Sequence, residues 1–159
     1  MTKPQHVDDS IFQDPAQRSV LPDLTGYLMT RALMVLHRDL KATLDAFDLT
    51  QRTFSVLAIV VANPDINQSD VAASLAMERS GTVVIVDTLE QRDLIRRAPM
   101  PGDRRAYALR ATLQGLRFFD TVLAAVHAHE ERMLAALSDE EQAQLSTLLT
   151  RLTDMNPPA

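Results

Sequence analysis

A hairpin signal placed between segments of helical periodicity is the feature that most restricts the fold of this 159-residue chain. The run Pro-Met-Pro-Gly-Asp at 99–103 is a strong turn signal. After this run, Tyr107 and Leu109 alternate with small or polar neighbours, as in a half-buried strand. Residues 95–110 are therefore predicted to form a β-hairpin within a mainly helical chain.

Three segments before the hairpin carry helix signals. Apolar residues of the first recur in steps of three and four, namely Met29, Leu33, Leu36, Leu40, Leu44 and Phe47. Thr50 and Asn67 are predicted N-caps of a second and a third helix. Residues 80–90 stay undecided on local grounds. Their β-branched run favours a strand, whereas Val83, Val86 and Leu89 have helical spacing.

Two more helices are predicted after the hairpin. Thr112 opens the first, whose seam is apolar apart from one glutamate: Leu116, Phe119, Leu123, Val126, Glu130, Met133 and Leu137. Residues 138–141, Ser-Asp-Glu-Glu, form a capping box for the second. That last helix has a seam of Leu145, Leu148, Leu152 and Met155.

Charge and composition narrow the classes of function. The net charge is −5, yet between Arg92 and Arg110 six Arg stand against two Asp, which makes a compact basic segment suited to a polyanion. The absence of cysteine excludes disulfides, thiolate metal sites and thiol nucleophiles. No apolar run approaches the roughly 20 residues that span a bilayer, and no signal peptide is recognisable. We expect a soluble cytoplasmic protein with a flexible arm at residues 1–22.

Enzyme chemistry finds no support in the sequence. There is no Gly-rich phosphate loop, no Gly-x-Ser-x-Gly motif and no acid–base constellation. His127 and Glu131 share a helix face, but two ligands are too few for a metal. These residues, His127, His129, Glu130 and Glu131, are therefore interpreted as polar residues on an exposed or dimer-forming helix. We predict neither catalysis nor a cofactor.

Several motifs together resemble the MarR family of transcriptional regulators. They are Leu49-Thr50 followed by Phe54 and Leu57, then Gln68–Ala72, Leu89–Arg97, Asp103-Arg104-Arg105, and Thr112 with Gly115. The resemblance spans residues 24–155. It implies a mainly α (α+β) winged helix-turn-helix at 48–111, with a recognition helix at 78–91 and a wing at 95–110. Dimerisation helices are implied at 23–47 and 112–156. Three departures are Asp93 where the family prefers Gly, Ala111 for Leu, and Val83-Val84 at positions that are often polar.

The resemblance also implies a set of DNA-binding residues: Gln68, Ser69, Arg79, Ser80, Gly81, Thr82, Val84, Asp103, Arg104 and Arg105. In this interpretation the start of the recognition helix meets base edges. Asp103 orients one wing arginine while an arginine enters the minor groove. Gln68 and Ser69 begin the preceding helix, where backbone N–H groups favour a phosphate.

An effector site is the second implication. Family members often bind small aromatic acids between the dimerisation helices and the winged domain. The residues in question here are Arg31, Met34, His37 and Arg38. Residue types alone favour a solvated or dimer-interface face. The predicted function is a homodimeric repressor of a pseudo-palindromic operator, relieved by a small aromatic-acid-like effector. The alternative is a helical protein-interaction module that uses its winged domain without DNA.

Overall fold

Six α-helices and a small antiparallel sheet make up the part of the chain that the computed structural model describes, residues 19–100 and 103–154, with side chains for 19–99 and 107–154. A 3-10 turn at Leu21–Asp23 precedes α1 (Thr25–Asp45), α2 (Gln51–Ala62), β1 (Ile66–Asn67), α3 (Gln68–Ser74), α4 (Arg79–Gln91), β2 (Ile95–Met100), β3 (Asp103–Ala111), α5 (Leu113–Leu134) and α6 (Asp139–Asp154). The predicted mainly helical fold with one hairpin is confirmed. The predicted N-terminal arm lies almost entirely outside the described residues.

Side-chain caps begin four of the helices, as the sequence predicts. Each capping oxygen accepts a hydrogen bond from the backbone N–H three residues later: Thr50 from Thr53, Asn67 from Asp70, Thr112 from Gly115 and Ser138 from Glu141. The Glu141 carboxylate in turn accepts from the Ser138 N–H at 2.8 Å, which completes the capping box. These bonds satisfy N–H groups that have no partner within a helix.

The undecided segment at 80–90 is the helix α4. Thr82, Val86 and Leu89 are buried and lie on one helical face. Packing of that face against α2 and α3 outweighs the β-propensity of the valine-rich run, because only a helix buries these three residues together.

The sheet has the strand order β1-β3-β2 and is antiparallel throughout. Arg97 pairs with Leu109 and Pro99 pairs with Tyr107, so the predicted hairpin is confirmed. β1 contributes two residues, with Ile66 opposite Leu109.

Two apolar clusters hold these elements. The larger joins α2, α3, α4 and the sheet through Val56, Leu57, Val60, Val71, Val86, Leu89, Leu94, Ile95 and Leu109. The smaller joins the end of α1 and the loop after it to α5 through Leu44, Leu49 and Val122. The chain divides into two compact units, one that ends at Arg38 and one that begins at Asp39. No helix in the described ranges is long and apolar enough to cross a membrane.

The turn between α4 and β2 explains one departure from the family pattern. Asp93 has φ of 54°, in the left-handed region where glycine is the least strained residue. Its carbonyl accepts a hydrogen bond from the Thr112 hydroxyl at 2.6 Å. Asp93 thus adopts at some cost a backbone conformation that a glycine would adopt without strain.

The face of α5 that is buried within the chain includes only part of the predicted seam, since Phe119 and Val126 pack against the apolar clusters. Leu116 and Glu130 are exposed, whereas the buried residues Gly115, Val122 and His129 follow one another at intervals of seven. The prediction that His129 is an exposed or dimer-facing polar residue is wrong. It packs inside the chain because it has a polar partner on α1, described below.

Candidate nucleic-acid interface

The first turn of α4 is exposed at the protein surface. Arg79, Ser80 and Gly81 are exposed, and the N-cap Glu78 makes no side-chain hydrogen bond to the helix. A Cβ added to Gly81 would meet no atom within 4 Å. The backbone N–H groups of this turn can therefore approach a ligand closely, and the helix start favours a negative charge.

The next residues of α4 divide between the core and the surface. Val83 and Val84 are 40% and 64% exposed. Thr82 is fully buried, and its hydroxyl donates to the Glu78 carbonyl at 3.2 Å. The prediction that Thr82 contacts DNA is therefore corrected, since a side chain on the core face of the helix cannot reach a base.

The start of α3 carries the other predicted helix-start contacts. Ser69 is exposed and Gln68 is half-buried. The Asn67 side-chain oxygen accepts from the Asp70 N–H, and its amide nitrogen donates to the Asp70 carboxylate at 2.6 Å. Ser69 thus remains an accessible hydroxyl in a first turn that also holds one carboxylate.

Arg97 of the basic segment forms ion pairs within the chain. Its guanidinium binds Asp87 at 2.5 Å and also binds Glu90, which additionally accepts from the Arg97 N–H at 2.9 Å. Burial, the largest single effect, lowers the pKa of Arg97. The hydrogen bonds and charges of Asp87 and Glu90 together outweigh it, so the pKa is raised. This ion pair ties the wing strand β2 to α4.

Arg92 and Arg110 are also engaged within the chain. Arg110 binds the Asp65 carboxylate at 2.5 and 2.6 Å, and this hydrogen bond lowers the pKa of Asp65. Arg92 donates to two carbonyls of the turn after α1, at 2.9 and 3.0 Å, and its guanidinium lies 5.1 Å from the ring centre of Phe118. Much of the positive charge counted in this segment is therefore neutralised or committed to structure.

The DNA contacts of the wing tip remain a prediction. Asp103, Arg104 and Arg105 belong to the backbone of β3, while their side chains lie outside the described residues. Arg96, which pairs with Arg110 across the hairpin, is exposed.

A cleft beside the first turn of α4 was not predicted from the sequence. It has a volume of about 420 Å³ and is lined by Gln51, Arg52, Ser55, Leu75, Ala76, Met77, Glu78 and Gly81. Arg52 and Arg79 have no ion-pair partner among the described residues. Nothing local to Arg52 signals this position, because only the packing of α2 against α4 brings it beside Gly81.

The predicted effector residues lie on α1. Arg31, Met34, His37 and Arg38 are all exposed, and the Arg31 guanidinium lies 5.9 Å from the ring centre of Tyr27. They line no part of the cleft described above. Their role in binding an effector remains a prediction.

A polar contact that was not predicted links α5 to the end of α1. The buried His129 ring nitrogen Nδ1 lies 2.7 Å from Asp39 Oδ2, and Arg132 donates to the same oxygen at 3.1 Å. The hydrogen bond with His129 lowers the pKa of Asp39, and Arg132 adds to the effect against desolvation. The described side chains contain no group of three His, Asp or Glu that could hold a metal.

Comparison with known proteins gives consistent matches. A family model described as the MarR family matches residues 47–106. The chain is 31% identical over 137 residues to a protein described as a transcriptional regulatory protein for the hcr operon of Thauera aromatica. This match covers 84% of this chain and 82% of the relative.

Solved structures match over most of the chain. The transcriptional repressor CouR bound to a 23-mer DNA duplex has a TM-score of 0.80 and 31% identity, covering 85% of this chain and 96% of that one. CouR from Rhodococcus jostii RHA1 bound to p-coumaroyl-CoA has a TM-score of 0.74 and 29% identity, covering 87% and 98%.

Proposed function

Because the chain belongs to the MarR family of transcriptional regulators, we propose that it is a homodimeric repressor that binds a pseudo-palindromic operator and leaves it when an aromatic effector binds. The observation that carries the proposal is the exposed first turn of α4, with Arg79, Ser80 and Gly81 at the surface and no side-chain cap on the helix N-terminus. This is the part of a recognition helix that meets base edges in helix-turn-helix docking.

The proposed DNA interface extends the predicted set and removes one member. Arg79, Ser80, Gly81 and Val84 of α4 enter the major groove, and Gln68 and Ser69 contact a phosphate. Arg104 and Arg105, oriented by Asp103, reach the adjacent minor groove. Arg52 joins them as a phosphate contact, since it lines the cleft beside Gly81 and is an unpaired cation among the described residues.

The proposed dimer rests on an apolar face without a partner. In the part of α6 that the structure describes, no residue is buried. Leu145, Leu148, Leu149 and Leu152 are 38–51% exposed and lie on one side of the helix. Such a stripe is costly in water and is suited to a second copy of the chain. Two recognition helices then read half-sites about 34–36 Å apart.

The proposed effector is an aromatic acid, free or as its coenzyme A thioester. Support comes from the relative CouR, whose solved complex holds p-coumaroyl-CoA. Arg31 and Arg38 of α1 are exposed cations that suit a carboxylate or a phosphate. An effector that favours the DNA-free form by about 1–3 kcal/mol weakens operator binding by about 5- to 150-fold.

Selection of bound sequences from random duplex DNA tests the DNA-binding function. We expect a palindromic motif. On that motif, Arg79→Ala should lower the binding free energy by about 1–3 kcal/mol if Arg79 contacts a base. If it contacts a phosphate, the variant should reduce the slope of log affinity against log salt concentration by about one. Arg117→Ala, which removes an exposed cation of α5 outside the proposed interface, serves as the control. Recovery of no motif by a folded protein contradicts the proposal.

The effector is tested separately on the recovered operator. We expect p-coumaroyl-CoA or p-coumarate to release the DNA in a fluorescence anisotropy assay. The double variant Arg31→Ala, Arg38→Ala should keep its operator affinity and require more effector for release. Release that is identical in wild type and variant would remove α1 from the effector site.

A further inference from the structure

We propose that Val84 recognises thymine in the operator through the 5-methyl group in the major groove. The inference rests on the DNA-binding function proposed above. It adds the chemical feature that this helix reads beyond its first turn.

The exposed surface of α4 becomes apolar after the first turn. Val84 is 64% exposed and stands one helical turn beyond Ser80, on the same face. Polar groups nearby are engaged elsewhere: Asp87 binds Arg97 at 2.5 Å, and the Thr88 hydroxyl donates to the Val84 carbonyl at 2.8 Å. The side chain placed to follow Ser80 into the groove is therefore a valine.

In the part of the chain that the structure describes, neither Val83 nor Val84 contributes to the core. Val86 and Leu89 supply the core face of α4, while Val83 and Val84 belong to neither apolar cluster. Their surroundings favour DNA over an apolar protein partner. The adjacent first turn carries Arg79, and the cleft beside it carries Arg52, both cations without an ion-pair partner among the described residues.

Base chemistry then identifies the target. In the major groove only thymine presents a methyl group among the four bases, and an isopropyl side chain, which has no hydrogen-bonding group, recognises a base by apolar contact with that methyl. Loss of one buried methyl contact should weaken binding by about three- to fivefold. Each half-site of a symmetric operator contributes one such contact.

The test uses the selected operator with deoxyuridine replacing thymidine at one symmetric pair of positions at a time. This exchange removes the methyl group and keeps every hydrogen-bonding group. Wild-type protein should lose about three- to fivefold in affinity per methyl at one pair and little at the others. Val84→Ala should bind the thymidine duplex more weakly and no longer distinguish it from the deoxyuridine duplex at that pair.

Val20→Ala, which truncates a 70% exposed valine outside α4, is the matched control and should discriminate like wild type. Wild-type binding that is insensitive to deoxyuridine at every position overturns the inference and leaves the proposed function intact. Val84→Ala that keeps the full discrimination also overturns the role of Val84. Failure of the folded protein to bind any duplex overturns the proposed function itself, and this inference with it.

Discussion

Two glycines have opposite roles in this protein, and the difference is one of surrounding space. A Cβ on Gly115 would lie 1.8 Å from the Leu94 carbonyl oxygen, whereas a Cβ on Gly81 would meet nothing within 4 Å. Gly115 is therefore required by the close contact of α5 with the residue before β2. At Gly81 the described part of the fold leaves room for a side chain.

Gly115→Ala should destabilise the protein by about 3 kcal/mol or more, because the obstructing atom is backbone and cannot move aside cheaply. Urea denaturation measures the change. Gly26→Ala on α1, where a Cβ also meets nothing, is the control and should not destabilise. Equal stability of Gly115→Ala and wild type would contradict this contact.

Gly81→Ala should have opposite effects on stability and on binding. Replacing a helical glycine with alanine should raise the free energy of unfolding by about 0.5–1 kcal/mol. The added methyl should weaken operator binding, since it stands where the backbone is proposed to approach DNA. Gly26→Ala should share the first effect without the second. Unchanged operator affinity in Gly81→Ala would place DNA farther from this turn.

At the scale of elements, ion pairs and hydrogen bonds of charged side chains hold the wing and the last part of α1. Arg97 of β2 joins two carboxylates of α4, so the wing and the recognition helix are held as one piece. His129 and Arg132 of α5 hold Asp39 of α1. Both contacts join different secondary-structure elements. In the sequence alone, Arg97 counts toward a basic segment suited to a polyanion, whereas in the fold it binds two carboxylates.

Arg97→Ala should cost about 1 kcal/mol of stability, a modest figure because both carboxylates are more than one-third exposed and water screens them. It should also weaken operator binding by freeing the wing, with an unchanged salt slope, since Arg97 is proposed to touch no phosphate. Arg79→Ala is the contrasting variant. A reduced slope in Arg97→Ala would show that this guanidinium reaches DNA.

Asp39→Asn should lower stability at neutral pH and not in acid. The pKa of Asp39 is lowered in the folded protein, so the carboxylate stabilises the fold above about pH 4, its unfolded range, and loses this effect as pH falls through the folded pKa. The urea midpoints of variant and wild type should therefore differ at pH 7 and converge as the pH falls below 4. A difference that is independent of pH would assign the effect to shape alone.

The whole molecule presents an apolar face on α6 that no part of the described chain covers. A leucine stripe of this kind is the surface that the proposed dimer would bury. Operator symmetry, dimer formation and affinity are then linked, because two half-sites bind together only when two recognition helices are joined.

Leu148→Asp should dissociate the dimer and weaken operator binding by about 10²- to 10⁴-fold through loss of the second half-site contact. Sedimentation velocity measures the mass, and circular dichroism checks that the protomer is still folded. Thr147→Asp, on the opposite face of α6, adds the same charge and should leave the dimer intact. A dimer that survives Leu148→Asp would exclude this face as the interface.

The sequence by itself determined where most helices begin and where the hairpin turns. The caps at Thr50, Asn67, Thr112 and Ser138 bond to residues three positions away, so the local sequence contains both partners. The family pattern likewise placed the recognition helix, although local propensity left it undecided.

Only the tertiary structure decided which charged residues remain available. Arg110 meets Asp65 across 45 positions, and His129 meets Asp39 across 90. Packing between elements also buries Thr82 and places Arg52 in the same cleft as Gly81. A count of charges along the chain cannot separate a committed arginine from a free one, because the partner that neutralises it arrives through packing.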